Sequence, residues 1–228
     1  MAQIRALPLL KRSAYRRLRQ EVDQRAQLGL VLDQQVPSAG VSGQAQVPSE
    51  EAAEAIAGLL ATADARCGHT TVVAIDGRAG AGKSTLAGRT AALTGATVIH
   101  TDDLFDNWGG FEDAIDRLSQ EILPKLAKGE AAPVHTWDWV SQEWRPPTQL
   151  EPVDLLIVEG CGAASTRLSD YIALAIWVEV DTPTRQARAA LRPDWSEMRS
   201  HWDEWAAQED RHAEASRLPG RADLIVSD

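Results

Sequence analysis

Between residues 70 and 227, short runs of consecutive apolar residues alternate with longer stretches whose apolar positions recur every three or four residues. Thr71 to Ile75 (Thr-Val-Val-Ala-Ile), Ala96 to His100, Val153 to Val158 and Ile172 to Val180 are of the first kind and read as strands; the two later runs suit strands covered on both faces. Ser84 to Leu93, alanine-rich with Gly95 just beyond, Thr182 to Leu191 and Trp195 to Ala215 read as helices. Phe111 to Lys128 is amphipathic, with Phe111, Ala114, Ile115, Leu118, Ile122 and Leu126 near helical spacing and Pro124 placed to bend it. Ala222 to Val226 reads as a short final strand. Upstream, Ser49 is an N-cap candidate with Glu50 and Glu51 in the first turn and Ala52 to Thr62 as its helix. This alternation predicts an α/β fold, a parallel sheet with helices on both faces, whose ligands bind at the carboxyl ends of the strands.

The link between the first strand and its helix is Gly77-Arg78-Ala79-Gly80-Ala81-Gly82-Lys83-Ser84, which fits the phosphate-binding pattern G-x-x-x-x-G-K-[ST]. Glycines there let successive backbone N–H groups turn inward toward a phosphate, and the positive end of the following helix adds to them. Lys83, read as an exposed loop lysine, reaches the β- and γ-phosphates, and the Ser84 hydroxyl ligates Mg²⁺. The nucleotide-binding stretch is taken as Gly77 through Ser84 with Thr85 beside it. Without a nucleotide, the same residues amount to a glycine-rich turn.

Other candidates fall at strand ends. Asp102 and Asp103 follow the second strand, beside the loop, where a carboxylate can take the proton of a hydroxyl attacking the γ-phosphate, hold a metal's water, or cap a turn. Asp102 is preferred as the base, as the residue emerging directly from the strand. Glu159 ends the run Asp154 to Glu159 and suits the water shell of Mg²⁺, which takes only one or two protein carboxylates. Arg185, Arg188 and Arg192 recur at helical spacing as either a phosphate-neutralising lid or solvated surface arginines. Eight tryptophans are many for 228 residues. Trp137 and Trp139 around Asp138 suit a clamp on a planar base or sugar, or else core packing, whereas Trp202 and Trp205 have the spacing of a packed helix face.

Composition sets bounds. A content of 44% hydrophobic and 25% charged residues is ordinary for a globular protein, and neither a membrane-spanning run nor a secretory leader is apparent, so a cytoplasmic protein is expected. Cys67 and Cys161 are far apart and read as small reduced residues. The net charge of −10 argues against general nucleic-acid binding. Its distribution is uneven, with seven Arg/Lys against three Asp/Glu in residues 1–47 and sixteen against thirty in the rest. Ile4 to Leu32 reads as one or two helical pieces, with an Arg16-Arg17-Leu18-Arg19 cluster that reads first as a solvated helix face and otherwise as a contact for RNA or a membrane, and Val36 to Pro48 as a linker. Two units are therefore expected: a basic helical extension and linker, 1–47, and a catalytic domain, 48–228.

The order of these motifs resembles the uridine kinase and pantothenate kinase group of P-loop small-molecule kinases. Three matches carry the resemblance: the loop Gly77 to Ser84, Asp102 after the second strand, and Pro133-Val134-His135-Thr136-Trp137-Asp138-Trp139, similar to the Pro…Tyr-Asp-Phe segment of uridine kinases. Val158-Glu159-Gly160 also matches their strand ending Glu-Gly. The resemblance covers about residues 70–227 and implies a three-layer P-loop kinase fold using ATP and Mg²⁺. It further implies Asp102 as general base and an acceptor pocket around His135, Trp137, Asp138 and Trp139 with Asp103. The chain departs from the group in having Trp137 for the tyrosine and Gln142 near the place of the base-reading histidine, and its lid region looks shorter. Residues 1–47 have no counterpart. The expected activity is transfer of the γ-phosphate of ATP to a hydroxyl of a nucleoside or comparable metabolite. A vitamin precursor or natural product as acceptor, and a non-catalytic ATP-sensing module, are the alternatives. No Asn-Lys-x-Asp motif of GTPases occurs. The partners expected are the small-molecule acceptor and ATP, with room for a homo-oligomer.

Overall fold

The computed structural model describes residues 50–227 and, for the backbone alone, the strand β1 (Gln3–Arg5). The expected N-cap Ser49, the linker and the extension beyond Arg5 lie outside the described residues. At Ile4 and Arg5 the backbone is strand rather than the expected helix, paired antiparallel with the last strand of the sheet.

The periodicity of the sequence is realised with small shifts at the element ends. In chain order come α1 (Glu50–Leu60), β2 (Thr71–Gly77), α2 (Lys83–Thr94) and β3 (Thr97–His100), then a 3₁₀ turn, Thr101–Asp103. The amphipathic stretch is divided into α3 (Phe111–Asp116), a π-helical segment (Arg117–Ile122) and α4 (Leu123–Ala127). Pro124 has no N–H to donate, and the ladder just before it widens, with Leu123 N–H donating to Leu118 O. Four short strands follow, β4 (Ala132–Val134), β5 (Trp137–Asp138), β6 (Glu143–Trp144) and β7 (Thr148–Leu150). The chain then returns to the sheet through β8 (Leu155–Glu159) and β9 (Ile172–Glu179), and closes with α5 (Thr182–Ala189), α6 (Trp195–Ala215) and β10 (Leu224–Ser227).

The central sheet has the order β1-β10-β9-β2-β8-β3, in which β10, β9, β2, β8 and β3 are mutually parallel. The apolar runs of β2, β8 and β9 are unbroken because both faces are covered. On one face Val72, Ala74, Leu156, Val158, Ala175 and Trp177 join the core under α3 and α6. On the other, Val73, Ile75, Ile157, Leu174, Ile176 and Val178 pack with Ala53 and Ile56 of α1 and Leu86 of α2. Register then aligns the chemistry: Ile75 is opposite Glu159, and Glu159 is opposite His100. The carboxyl ends of β2, β8 and β3 therefore finish in one row, where a doubly covered parallel sheet opens its ligand crevice.

Candidate active site

Strand β2 ends by handing the chain to the glycine-rich loop, whose curvature requires left-handed backbone at Gly80 (φ 79°) and Gly82 (φ 95°). Gly80 also approaches α5 so closely that a Cβ would sit 2.4 Å from Arg185 O. Asp76, the buried residue before the loop, accepts from Gly77 N–H (2.7 Å), Gly162 N–H (3.2 Å), Ala164 N–H (2.8 Å) and His212 Nε2 (2.9 Å). One carboxylate thus ties together the phosphate loop, the turn after β8 and helix α6. Within the loop Ala81 N–H donates to Arg78 O, and the helical ladder begins at Leu86 N–H to Gly82 O. Among the described residues no acceptor is found for the N–H groups of Gly80, Gly82, Lys83, Ser84 or Thr85, which are the donors a phosphate would take.

Lys83 is buried rather than exposed, at 8% accessibility, and donates to Arg78 O (3.1 Å) and Cys161 Sγ (3.4 Å). Burial works against its ammonium, but the acidic surroundings of Cys161, Asp102, Glu209 and Glu159 hold its proton more tightly than in a free lysine. Burial also pushes the Cys161 thiol well up, so at neutral pH it carries no charge and the three carboxylates do the holding.

The loop lines a cleft of about 650 Å³. Lys83, Ser84 and Thr85 meet Asp102, Asp103 and Glu159 there, while Phe105, Trp108, Trp139 and Trp205 build an aromatic wall. Asp102 keeps contact with solvent through the cleft mouth, yet the surrounding protein desolvates its carboxyl and raises its pKa above the usual aspartate value, against the pull of Lys83 and Arg192. Asp103 is raised as well, chiefly by desolvation. The Asp102 carbonyl accepts from Trp139 Nε1 at 3.0 Å. Glu159 is 3% accessible; its Oε1 contacts His100 Nδ1, and that contact is the main reason the His100 pKa is raised. Its Oε2 is buried without a hydrogen-bond partner.

Spacing between the two acidic strand ends depends on Gly160. Its φ is 129°, and a Cβ there would fall 1.9 Å from Thr101 Oγ1, the hydroxyl that donates to Cys161 O.

The three arginines have separate fates. Arg185 is buried and structural in its contacts, donating to Ala79 O (3.0 Å), Val180 O (3.2 Å) and Thr182 Oγ1 (3.0 Å). Arg188 lines the cleft and reaches Ala81 O at 3.5 Å. Arg192 also lines it but lies past the end of α5, paired with Asp194 at 2.7 Å. His135, Trp137 and Asp138 are not among the cleft-lining residues. Asp138 closes the β5–β6 turn, accepting from Val140 N–H, Ser141 N–H and Arg145, contacts that hold its carboxyl at about 2. Trp137 packs edge-on against Trp144, with ring centroids 5.3 Å apart.

The donor set can be tested against Mg²⁺. The described residues hold no group of three or more acidic, His or Cys side chains arranged for a metal. Ser84 and Glu159, whose buried Oε2 has no hydrogen-bond partner, nevertheless both line the cleft. That combination fits an ion bound mainly by phosphate oxygens and water, the usual state of Mg²⁺ beside a nucleotide.

Several participants carried no sequence signal. Asp76, Trp108, Cys161, Glu209 and His212 belong to no local motif; Asp76 directly precedes the loop, and only the fold brings the other four to the site. The described residues contain no helix long and apolar enough to cross a membrane. No protein-family model and no curated protein matches the chain. Among solved structures, it is similar to a protein described as a possible uridine kinase from Bacillus stearothermophilus (TM-score 0.59, 14% identity, 77% of this chain and 97% of the other). It is also similar to a protein assigned by name to fructose transport system kinases, from Silicibacter sp. TM1040 (TM-score 0.51, 23% identity, 76% of this chain and 98% of the other). With its parallel sheet flanked by helices and these two structural similarities, the chain has the fold of the P-loop kinases.

Proposed function

We propose that the protein is an ATP- and Mg²⁺-dependent kinase that transfers the γ-phosphate of ATP to a hydroxyl of a nucleoside or similarly sized metabolite. The observation that carries this reading is the joining of two chemistries in one cleft: partnerless loop amides with Lys83, and Asp102 together with an aromatic wall. The loop amides and Lys83 bind the phosphates, and Arg188 and Arg192, which also line the cleft, add positive charge. Ser84, and Glu159 through water, would hold a Mg²⁺ ion, which when bound would neutralise charge on the phosphate oxygens. Asp102 accepts the acceptor's proton; desolvation raises its pKa and makes it a better base than an ordinary aspartate. Phe105, Trp108, Trp139 and Trp205 present flat apolar surface to an acceptor ring. The names of the two structural neighbours, a possible uridine kinase and a fructose transport system kinase, support a small hydroxylated acceptor.

A second reading, a kinase for a non-nucleoside acceptor, is favoured by one observation. His135, Trp137 and Asp138, on which the nucleoside pocket was expected, lie away from the cleft lining. Measuring ADP formation against a panel of nucleosides, sugars and vitamin precursors separates the two readings. Failure of every hydroxylated acceptor to stimulate ADP formation, with ATP bound, overturns both and leaves an ATP-sensing module.

A further inference from the structure

Glu209 lies 130 residues from the phosphate loop in sequence, yet its carboxylate touches that loop directly. Its Oε1 accepts from Ala79 N–H at 2.6 Å, from Trp205 Nε1 at 3.0 Å and from the Cys161 thiol at 3.1 Å. The side chain is buried, with Glu209 at 3% accessibility. A distance of 2.6 Å to a backbone amide is that of a strong hydrogen bond to a charged acceptor.

The Ala79 peptide is fixed from both sides. Glu209 of α6 takes its N–H, and Arg185 of α5 donates to its carbonyl at 3.0 Å. One turn further along α6, His212 holds Asp76, the residue just before the loop. Glu209 and His212 therefore share a helix face and grip the loop at two points. Ala79 is itself buried, so its N–H must find an acceptor, and leaving it without one would cost a full desolvation. With that amide already committed, it does not compete for phosphate oxygens, and the loop is held open for the donors of Gly80 and of Gly82 to Thr85. The Oε1 atom is also shared with Trp205, part of the aromatic wall, so the loop and the wall rest on one oxygen.

We propose that Glu209 is a positioning residue for the phosphate loop: its Oε1 fixes the Ala79 peptide and, through Trp205, sets the loop against the aromatic wall. This rests on the kinase reading for its functional meaning, though the contact itself is independent of it. The side chain acts through Ala79 and does not touch substrate.

Three measurements test the proposal. In nucleotide-free wild-type protein, the Ala79 amide should exchange with solvent at least about 10²-fold more slowly than an unprotected loop amide; free exchange overturns the contact. In Glu209→Ala the Kd for ATP, measured by calorimetry, should rise about tenfold or more, the size expected for loss of a charged hydrogen bond. Glu209→Gln, which keeps an acceptor oxygen, should recover most of that loss. Trp205→Phe, which keeps the ring but deletes the donor, should raise the same Kd about two- to fivefold, an outcome readable even if Glu209→Ala does not fold. ATP affinity unchanged in Glu209→Ala beside a lowered Tm reduces the residue to packing and overturns the proposal. Equal losses in the Ala and Gln variants overturn the role of the acceptor oxygen. A wild-type protein that binds no ATP overturns the kinase reading, and the amide measurement, made without nucleotide, tells that failure apart from failure of the contact.

Discussion

Trp139 Nε1 donates to the backbone carbonyl of Asp102 at 3.0 Å, so the aromatic wall and the acidic end of β3 are joined by a hydrogen bond across 37 residues of sequence. The indole that would contact an acceptor also holds the backbone of the residue that would take its proton. Asp102→Asn preserves this backbone contact and the side-chain shape while removing the basic lone pair. Turnover is expected to fall by about 10² to 10⁴ with ATP affinity nearly intact. Asp103→Asn should cost less. A larger kcat loss at Asp103 in steady-state assays exchanges the two roles.

The raised pKa of Asp102 gives a pH profile with a definite sign. A carboxyl that must be ionised to accept a proton loses function as pH falls through its pKa, and desolvation has moved that pKa up. The acid limb of kcat/KM should therefore lie above the ordinary aspartate value and vanish in Asp102→Asn. An unchanged limb in that variant assigns it to another group.

Lys83 is buried, so truncation to alanine would also remove packing. Lys83→Met keeps the stem and deletes the charge, and it should lower kcat/KM by about 10² or more with the far-UV spectrum unchanged. Near-normal turnover in a folded Lys83→Met variant rules out a catalytic phosphate loop.

Metal dependence should be complete and reversible. Because the described residues offer no preformed cluster, EDTA is expected to abolish turnover without lowering the Tm of the nucleotide-free protein, and Mg²⁺ should restore it. A Tm that drops on chelation points to a structural metal instead.

The aromatic wall can be separated from the neighbouring hairpin. Trp108→Ala should raise the acceptor KM at least about fivefold more than Trp137→Ala, since Trp108 lines the cleft and stacks on His201 at 5.0 Å while Trp137 does neither. Comparing acceptor KM with ATP KM for both variants decides it. A greater effect at Trp137 would return the acceptor to the β5–β6 hairpin.

Patterns that repeat along the chain were legible; contacts that cross it were not. The boundaries of α6 agree residue for residue with the apolar spacing from Trp195 to Ala215, and the strand, loop and helix at 71–94 follow from β-branching, glycine and alanine content. The two-residue strands β5 and β6 are too short to show any period, so the residues there show a pair of tryptophans around an acid and a family-like segment, but no hairpin. Asp138 carries no local sign of whether it meets a ligand or Arg145, because the answer depends on how the chain turns back seven residues later. Arg185 and Arg192 share helical spacing, yet the helix stops at Ala189, and one arginine is drawn into the loop while the other pairs with Asp194. Glu209 and His212 look like ordinary positions on a polar helix. Their burial follows from the packing of α6 over the end of β2, a relationship of about 130 residues' separation that no local window contains.

Gly160 acts as a gauge block between two strands. Whatever fills the space at its α-carbon sets how far the end of β8 stands from the first turn after β3, and hence the gap between Glu159 and Asp102. A methyl group would have to displace Thr101, the immediate neighbour of Asp102, and the backbone there already lies in a region that only glycine adopts without strain. Gly160→Ala would thus behave as a wedge: it would leave every proposed catalytic side chain in place chemically while changing the distance between them.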